Sequence, residues 1–261
     1  MRLIVTRPAA QATPWVAALQ ALGLDAQALP LIDIAPPHAL VPVQAAWAAL
    51  EALTLAMFVS ANAVEHFFAA RPAGAEWPSA LLAGSTGPGT SAALRAAGVQ
   101  QIEEPAADAP QFDTEALWAR LATRRWRGAR VLVVRGEDGR DWLAETLRAQ
   151  GAEVNFLAAY RRVPPVLDDA GRALLAAAQA APAQHLWLFS SSEAVGHLQA
   201  LATGGDWSAA QAFASHPRIA QAARSAGFGD VKLVAPTPQA VALQTLQTLQ
   251  LGPAGASATR P

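Results

Sequence analysis

The chain repeats itself, and that repeat limits what it can fold into more than any other feature. Leu3-Ile4-Val5-Thr6-Arg7 is matched by Val131-Leu132-Val133-Val134-Arg135, an offset of 128 residues (135 − 7). Each block reads as a short buried strand followed by a loop and an amphipathic helix. The first helix sets Trp15, Leu19 and Leu22 on one face and stops at Gly23; the second sets Trp142, Leu143 and Leu147 and stops at Gly151. Apolar residues at helical spacing before a Gly mark a helix and its C-cap. A further strand follows in each copy, Ala28 to Ile34 and Val154 to Val163. Both run into a Pro-Pro pair, Pro36-Pro37 and Pro164-Pro165.

Two more blocks keep the same order. Met57-Phe58-Val59-Ser60-Ala61-Asn62-Ala63-Val64 is matched by the run from Trp187 through Ser190, Ser191 and Ser192 to Val195, a strand entering a Ser-rich helix start. Gly89 to Gly98 is matched by Pro217 to Gly227, and the closing glycines differ by 129 (227 − 98). One such match in an Ala-rich chain is chance; three in one order at a nearly constant offset are a duplication. Strands alternating with helices require parallel sheets. The expected fold is therefore α/β: two similar parallel-sheet domains with a ligand cleft between them.

Composition narrows the function. At 261 residues the chain has room for one or two domains. Its 52% hydrophobic content owes much to Ala, so the core rests on Leu, Val, Ile, Phe and eight Trp. With 15% charged residues and a net charge of −1, bulk charge does not draw it to nucleic acid. Zero cysteines exclude disulfides, thiolate catalysis and Cys-ligated metal centres, and suit a reducing cytosol. The apolar run Leu3-Ile4-Val5 is too short for a signal peptide, and no stretch of about 18 apolar residues exists. A cytoplasmic protein away from the membrane is expected, with residues 251–261, rich in Gly, Ala, Pro and Ser, as a disordered tail.

In parallel α/β sheets ligands sit outside the carboxyl ends of the strands. Those ends carry Arg7, Ser60, Thr86 to Thr90, Arg135 to Gly139 (with Gly136), Ser190 to Ser192, and Ser215 to Arg218. Small hydroxyls, glycines and arginines beside helix N-termini make anion sites without any lysine cluster. The expected ligand is anionic, with several carboxylates or phosphates.

Other constellations fail. The histidines at 38, 66, 185, 197 and 216 show no metal-ligand spacing, so no metal site is expected. There is no Gly-x-Ser-x-Gly elbow and no Walker A loop. Gly87-Pro88-Gly89-Thr90-Ser91-Ala92 matches a dinucleotide fingerprint only in form, since it lies in a middle βα unit with Pro88 in the turn. Arg124-Arg125-Trp126-Arg127 reads as a solvated helix end ahead of a strand. Tyr160 stands apart as the only tyrosine, at a position where the other copy has Ile32 (160 − 128). A phenol keeps its proton at neutral pH and can donate it. It either serves as that donor or packs at a hinge with its hydroxyl in water.

Taken together, Val5-Thr6-Arg7-Pro8, Phe58 through Val64, Gly87 through Leu94, Leu157-Ala158-Ala159-Tyr160-Arg161 and Pro236-Thr237-Pro238-Gln239-Ala240 resemble the uroporphyrinogen-III synthase family, over about residues 2–247. The resemblance implies two α/β domains joined by a two-stranded hinge. The first is discontinuous, residues 1–35 with 166–250, and the second spans 38–160. The duplication alone would have suggested two consecutive halves. It also implies a cofactor-free lyase acting on hydroxymethylbilane, a linear tetrapyrrole with eight carboxylates. Loss of hydroxide gives an azafulvene, attack by the substituted carbon of the last ring gives a spiro-pyrrolenine, and reclosure inverts that ring. Tyr160 is the acid or hydrogen-bond donor this implies.

Ser60 and Thr90 match positions lining the family's cleft, with Asn62, Ser190 and Ser191 as neighbours; each serves equally well as a helix cap. Arg7 and Arg135 either pair with substrate carboxylates or tie down strand ends. Ser215-His216-Pro217-Arg218 departs from the small Gly/Thr-type start seen in many relatives, though Arg218 is a candidate carboxylate partner. A monomer is implied, with transient contact with hydroxymethylbilane synthase left open. The alternative is a two-lobed protein that binds an anionic metabolite without chemistry, which shares the same fold.

Overall fold

The computed structural model describes residues 1–109, 111–137 and 139–250; the expected tail at 251–261 lies outside the described residues. In chain order the first elements are β1 (Arg2–Val5), α1 (Ala9–Ala21), β2 (Ala26–Ala28), β3 (Asp33–Ala35), α2 (Val41–Ala48), β4 (Leu55–Phe58), α3 (Ala61–Ala69), β5 (Leu82–Ser85), α4 (Pro88–Ala96) and β6 (Ile102–Glu103). They continue with α5 (Thr114–Leu121), β7 (Arg130–Gly136), α6 (Trp142–Ala149), β8 (Glu153–Val163), α7 (Asp169–Ala180), β9 (His185–Phe189), α8 (Ser192–Leu201), β10 (Gln211–Ala214), α9 (Pro217–Ser225), β11 (Asp230–Leu233) and α10 (Pro238–Gln250). Two compact units result: Met1–Asp33 with the chain from Val163, and Ile34–Arg162.

The first unit holds a five-stranded sheet in the order β11-β10-β9-β1-β2; the second holds a six-stranded sheet in the order β3-β8-β7-β4-β5-β6. The pairings β1–β2, β1–β9, β9–β10, β10–β11 and β4–β5, β4–β7, β5–β6, β7–β8 are all parallel. The duplication maps onto these orders strand by strand. β1 matches β7, β2 matches the first part of β8, β4 matches β9, β5 matches β10 and β6 matches β11. Each sheet therefore combines strands of both sequence copies. The first takes β1 and β2 from the leading copy and three strands from the trailing one; the second takes β3 to β6 from the leading copy and β7 and β8 from the trailing one. Sequence halves and structural units do not coincide.

The strand expected from Ala28 to Ile34 is a correction. It is broken into β2, at the edge of the first sheet, and β3, which joins the second. Pro30 lies in the break, and it has no N–H to offer a sheet ladder. The matching segment runs unbroken as β8, and β3 lies 128 residues before its last three residues (33 + 128 = 161) and pairs with it.

Central strands β4 and β9 are buried throughout, as strands covered on both faces must be. In the second unit one face buries Ala56, Phe58, Leu132 and Val134 against Trp47, Val64, Phe67 and Leu94. The other buries Leu55, Met57, Val131 and Val133 against Leu117, Leu121, Leu143 and Leu147. In the first unit Leu3, Val5, Leu186, Leu188 and Phe213 pack on Leu19 and Val241. Trp187, Phe189, Trp207 and Phe228 form an aromatic cluster, with the Trp207 and Phe228 rings stacked at 5.5 Å. Each fully buried large side chain contributes about 1.5–3 kcal/mol.

Gly23 (φ 83°) and Gly151 (φ 88°) close α1 and α6 in the left-handed region, as the sequence pattern requires. Two residues assigned to the apolar faces are corrected: Leu22 is 43% exposed and Trp142 37% exposed. Leu22 is the C-cap and Trp142 the first helical residue, so both sit where the helix runs off its supporting sheet.

Gly229 lies in close backbone contact, since a Cβ there would stand 1.9 Å from the Ser208 carbonyl oxygen. Gly229→Ala is expected to cost about 3 kcal/mol or more, because backbone has no rotamer by which to yield. A urea unfolding curve followed by tryptophan fluorescence checks this.

Candidate active site

In each sheet the chain runs outward in opposite directions from one seam: β1/β9 in the first, β7/β4 in the second. The carboxyl ends flanking such a seam are where parallel α/β sheets place ligands. Thr6, Arg7, Ser190 and Ser191 stand at the first seam; Ser60, Arg135 and Gly136 stand at the second. Thr90 and Arg218 lie one strand further out, in the first turns of α4 and α9.

Tyr160 enters the second seam from β8 by way of a register shift. Pairing with β7 runs Val133 to Phe156, Val134 to Leu157 and Arg135 to Ala158, then jumps to Gly136 opposite Tyr160. Ala159 is the extra residue of this β-bulge. Without it, Tyr160 would share a face with Phe156 and Ala158. The bulge turns it to the face of Leu157, into the core around Phe58 and Phe67. Tyr160 is 2% exposed.

The ring lies on Gly136. A Cβ there would come within 3.1 Å of Tyr160 Cζ and 3.4 Å of Oη. His66, on α3, stacks on the ring at 6.0 Å between centroids. Sequence reading set His66 aside, because no local spacing ties a helix residue to a strand so far along the chain. Ser60 Oγ donates to Tyr160 Oη at 3.3 Å and accepts from the Ala63 amide at 3.2 Å, so the same hydroxyl caps α3.

The remaining candidates sort by what they already hold. Ser191 Oγ caps α8 by accepting from the Glu193 amide; Ser190 and Asn62 are half-buried beside these caps. Thr90 is buried in the first turn of α4. Arg135 points away from Tyr160, with its guanidinium 4.0 Å over the Phe156 ring and ion-paired with Asp141. Arg218 is exposed, and its amide donates to His216 Nδ1, which caps α9. Thr86 Oγ1 donates to the Val59 carbonyl. The Gly87 amide is held by Ser85 Oγ, which leaves the dinucleotide-like turn without a free donor there. In the basic run, Trp126 is buried and Arg124 pairs with Glu103.

Arg7 differs from these. Its guanidinium carbon lies 4.3 Å over the Trp15 ring, and its buried Nε has no hydrogen-bond partner among the described residues. Burial pushes its pKa below the ordinary arginine value. Among the described residues no group of His, Asp and Glu converges as a metal site, and no helix is long and apolar enough to cross a membrane.

Gly136→Ala drives a methyl group into the Tyr160 ring. The expected result is a loss of about 1–3 kcal/mol, read as a lower urea midpoint, with Gly136→Ala in a Tyr160→Leu background losing less.

The family model described as uroporphyrinogen-III synthase HemD matches residues 13–244. The uroporphyrinogen-III synthase of Salmonella typhimurium is 32% identical over 67% of this chain and 70% of that protein. The enzyme of the same name from Synechococcus elongatus is 33% identical over 79% of this chain and 78% of its own. A crystal structure of a mutant uroporphyrinogen III synthase from Thermus thermophilus covers 96% of this chain and 99% of its own, with a TM-score of 0.58 at 18% identity, which bears on the fold. The chain belongs to the uroporphyrinogen-III synthase family.

Proposed function

We propose that this protein closes hydroxymethylbilane to uroporphyrinogen III with inversion of the terminal ring and loss of water, and that Tyr160 assists departure of the hydroxyl group. Family membership supports the reaction. The observation that carries the residue is a buried phenol at the carboxyl edge of a parallel sheet, its oxygen 3.3 Å from Ser60 Oγ.

The chemistry asks little of the protein beyond placement. The pyrrole nitrogen expels the hydroxymethyl oxygen, which takes a proton from Tyr160 and leaves as water. The azafulvene is attacked by the substituted carbon of the last ring, and the spiro intermediate fragments and recloses inverted. The proton released as the ring regains aromaticity restores the phenol. A positioned acid contributes about 10²–10⁴-fold. Holding the last ring so that its substituted carbon is the one attacked supplies the selectivity. The Ser60–Tyr160 separation of 3.3 Å is long for two hydroxyls, as catalytic hydrogen bonds often are before substrate arrives.

Arg7 is the substrate-carboxylate partner this reading favours, because its buried donor is unspent. Ser190, Ser191, Asn62, Thr90 and Arg218 surround the strand ends as lesser contacts. Gly136 supports Tyr160, and Arg135 serves structure. The same reading has the protein act as a cytoplasmic monomer without cofactor, taking its substrate free or by transient contact with hydroxymethylbilane synthase.

The test is an isomer-resolved assay with freshly generated hydroxymethylbilane, the oxidised products being separated into types I and III. Dominant type III is expected. Type I at the uncatalysed rate overturns the reading. Tyr160→Phe is expected to fold and bind but to turn over at least about tenfold more slowly; an unimpaired Phe variant removes Tyr160 from the mechanism.

Arg7→Leu is expected to raise KM by about tenfold or more, as loss of a charge-assisted hydrogen bond does. It should leave the urea midpoint of the free protein unchanged or higher, since a buried unpaired donor is removed.

A further inference from the structure

We propose that Ser60 is a positioning residue for Tyr160. It fixes the phenol oxygen against the N-terminus of α3, so that the hydrogen left for donation is the phenol's own. The proposal rests on the reading of Tyr160 as the proton donor and goes beyond it in saying what makes this phenol fit for the task.

Two hydroxyls that share one hydrogen bond have one hydrogen left over. Which residue keeps it decides which can act as an acid. Ser60 Oγ accepts from the Ala63 N–H and lies 3.3 Å from Tyr160 Oη; with one lone pair so engaged, Ser60 is assigned as the donor to the phenol oxygen. The phenol oxygen is thereby an acceptor, and its hydrogen stays available to a substrate at the strand ends. When the phenol gives it up, the charge left on oxygen faces a donor. That donor's oxygen is held in turn by an amide in the first turn of a nine-residue helix, where negative charge is favoured. Gly136 beneath the ring and the bulge at Ala159 fix the remaining freedom. Ser60 thus acts through Tyr160, in contrast to a direct contact with substrate.

The experiment uses the full chain with Ser60→Gly and Ser60→Thr. Glycine still serves at an N-cap but removes the hydroxyl, while threonine keeps both. Because Tyr160 is the sole tyrosine, labelling tyrosine with carbon-13 at Cζ gives one resonance, which reads the hydrogen bond at Oη without any assay. The expected result is that Ser60→Gly shifts this resonance and lowers kcat at least about tenfold with KM within about twofold, and that Ser60→Thr restores both.

An unmoved resonance and unchanged kcat in Ser60→Gly, alongside an impaired Tyr160→Phe, overturn this proposal and leave the Tyr160 reading standing. A raised KM at unchanged kcat overturns it in favour of a direct substrate contact. An unimpaired Tyr160→Phe removes the reading on which it rests, whatever the resonance does.

Discussion

Everything in this molecule depends on the pairing of β1 with β9 in one sheet and of β4 with β7 in the other. Each is a junction between the two sequence copies. Leu3 registers with Leu186 and Leu55 with Val131, so both junctions join segments far apart along the chain. They are also where strand order reverses, which leaves a crevice at the carboxyl edge. The ladders continue just past the strands, with the Thr6 amide donating to the Leu188 carbonyl and the Val59 amide to that of Val134. Thr6 Oγ1 adds a second bond to the same Leu188 oxygen. The duplication thus places two equivalent seams, one per unit, and the candidate residues gather at them.

Most of the polar edge is consumed by the fold. Ser85, Ser91 and Thr86 bind one another or backbone oxygens, and Ser191 and His216 cap helices. Arg135 stacks on Phe156 beside Asp141. An edge this self-satisfied offers a ligand few donors, and Arg7 keeps a buried Nε without a partner among the described residues. The two copies have diverged here: the position that is a buried phenol in β8 is Ile32, an apolar residue, in the other.

What the sequence reveals is what short-range physics decides. Gly23, Gly98, Gly151 and Gly227 announce helix ends because the left-handed backbone they adopt needs no distant partner. Ser60 and Ser191 are legible as caps for the same reason. The parallel fold was readable from the alternation of strands with helices, and the duplication from its constant offset. The break of the expected strand at Pro30 was not, because the chain changes sheets there and periodicity carries no record of which sheet a strand joins. Nor was the aim of Tyr160, set by a bulge that exists only against β7. The Ser60 contact spans 100 residues, and no spacing rule reaches that far.

The exchange of strands between copies also orders events during synthesis. The Ile34–Arg162 unit is continuous in the chain and is complete once Arg162 has emerged. The other unit begins with β1, made first, but β1 has no neighbour beyond β2 until His185–Phe189 appears. At about 5–20 residues per second, that wait lasts roughly 10–40 s. Through it Leu3, Ile4 and Val5, all later buried, belong to an open two-strand edge. A strand made well before its neighbour is therefore among the last to find its place, and for that interval it is the part of its unit most exposed to wrong partners.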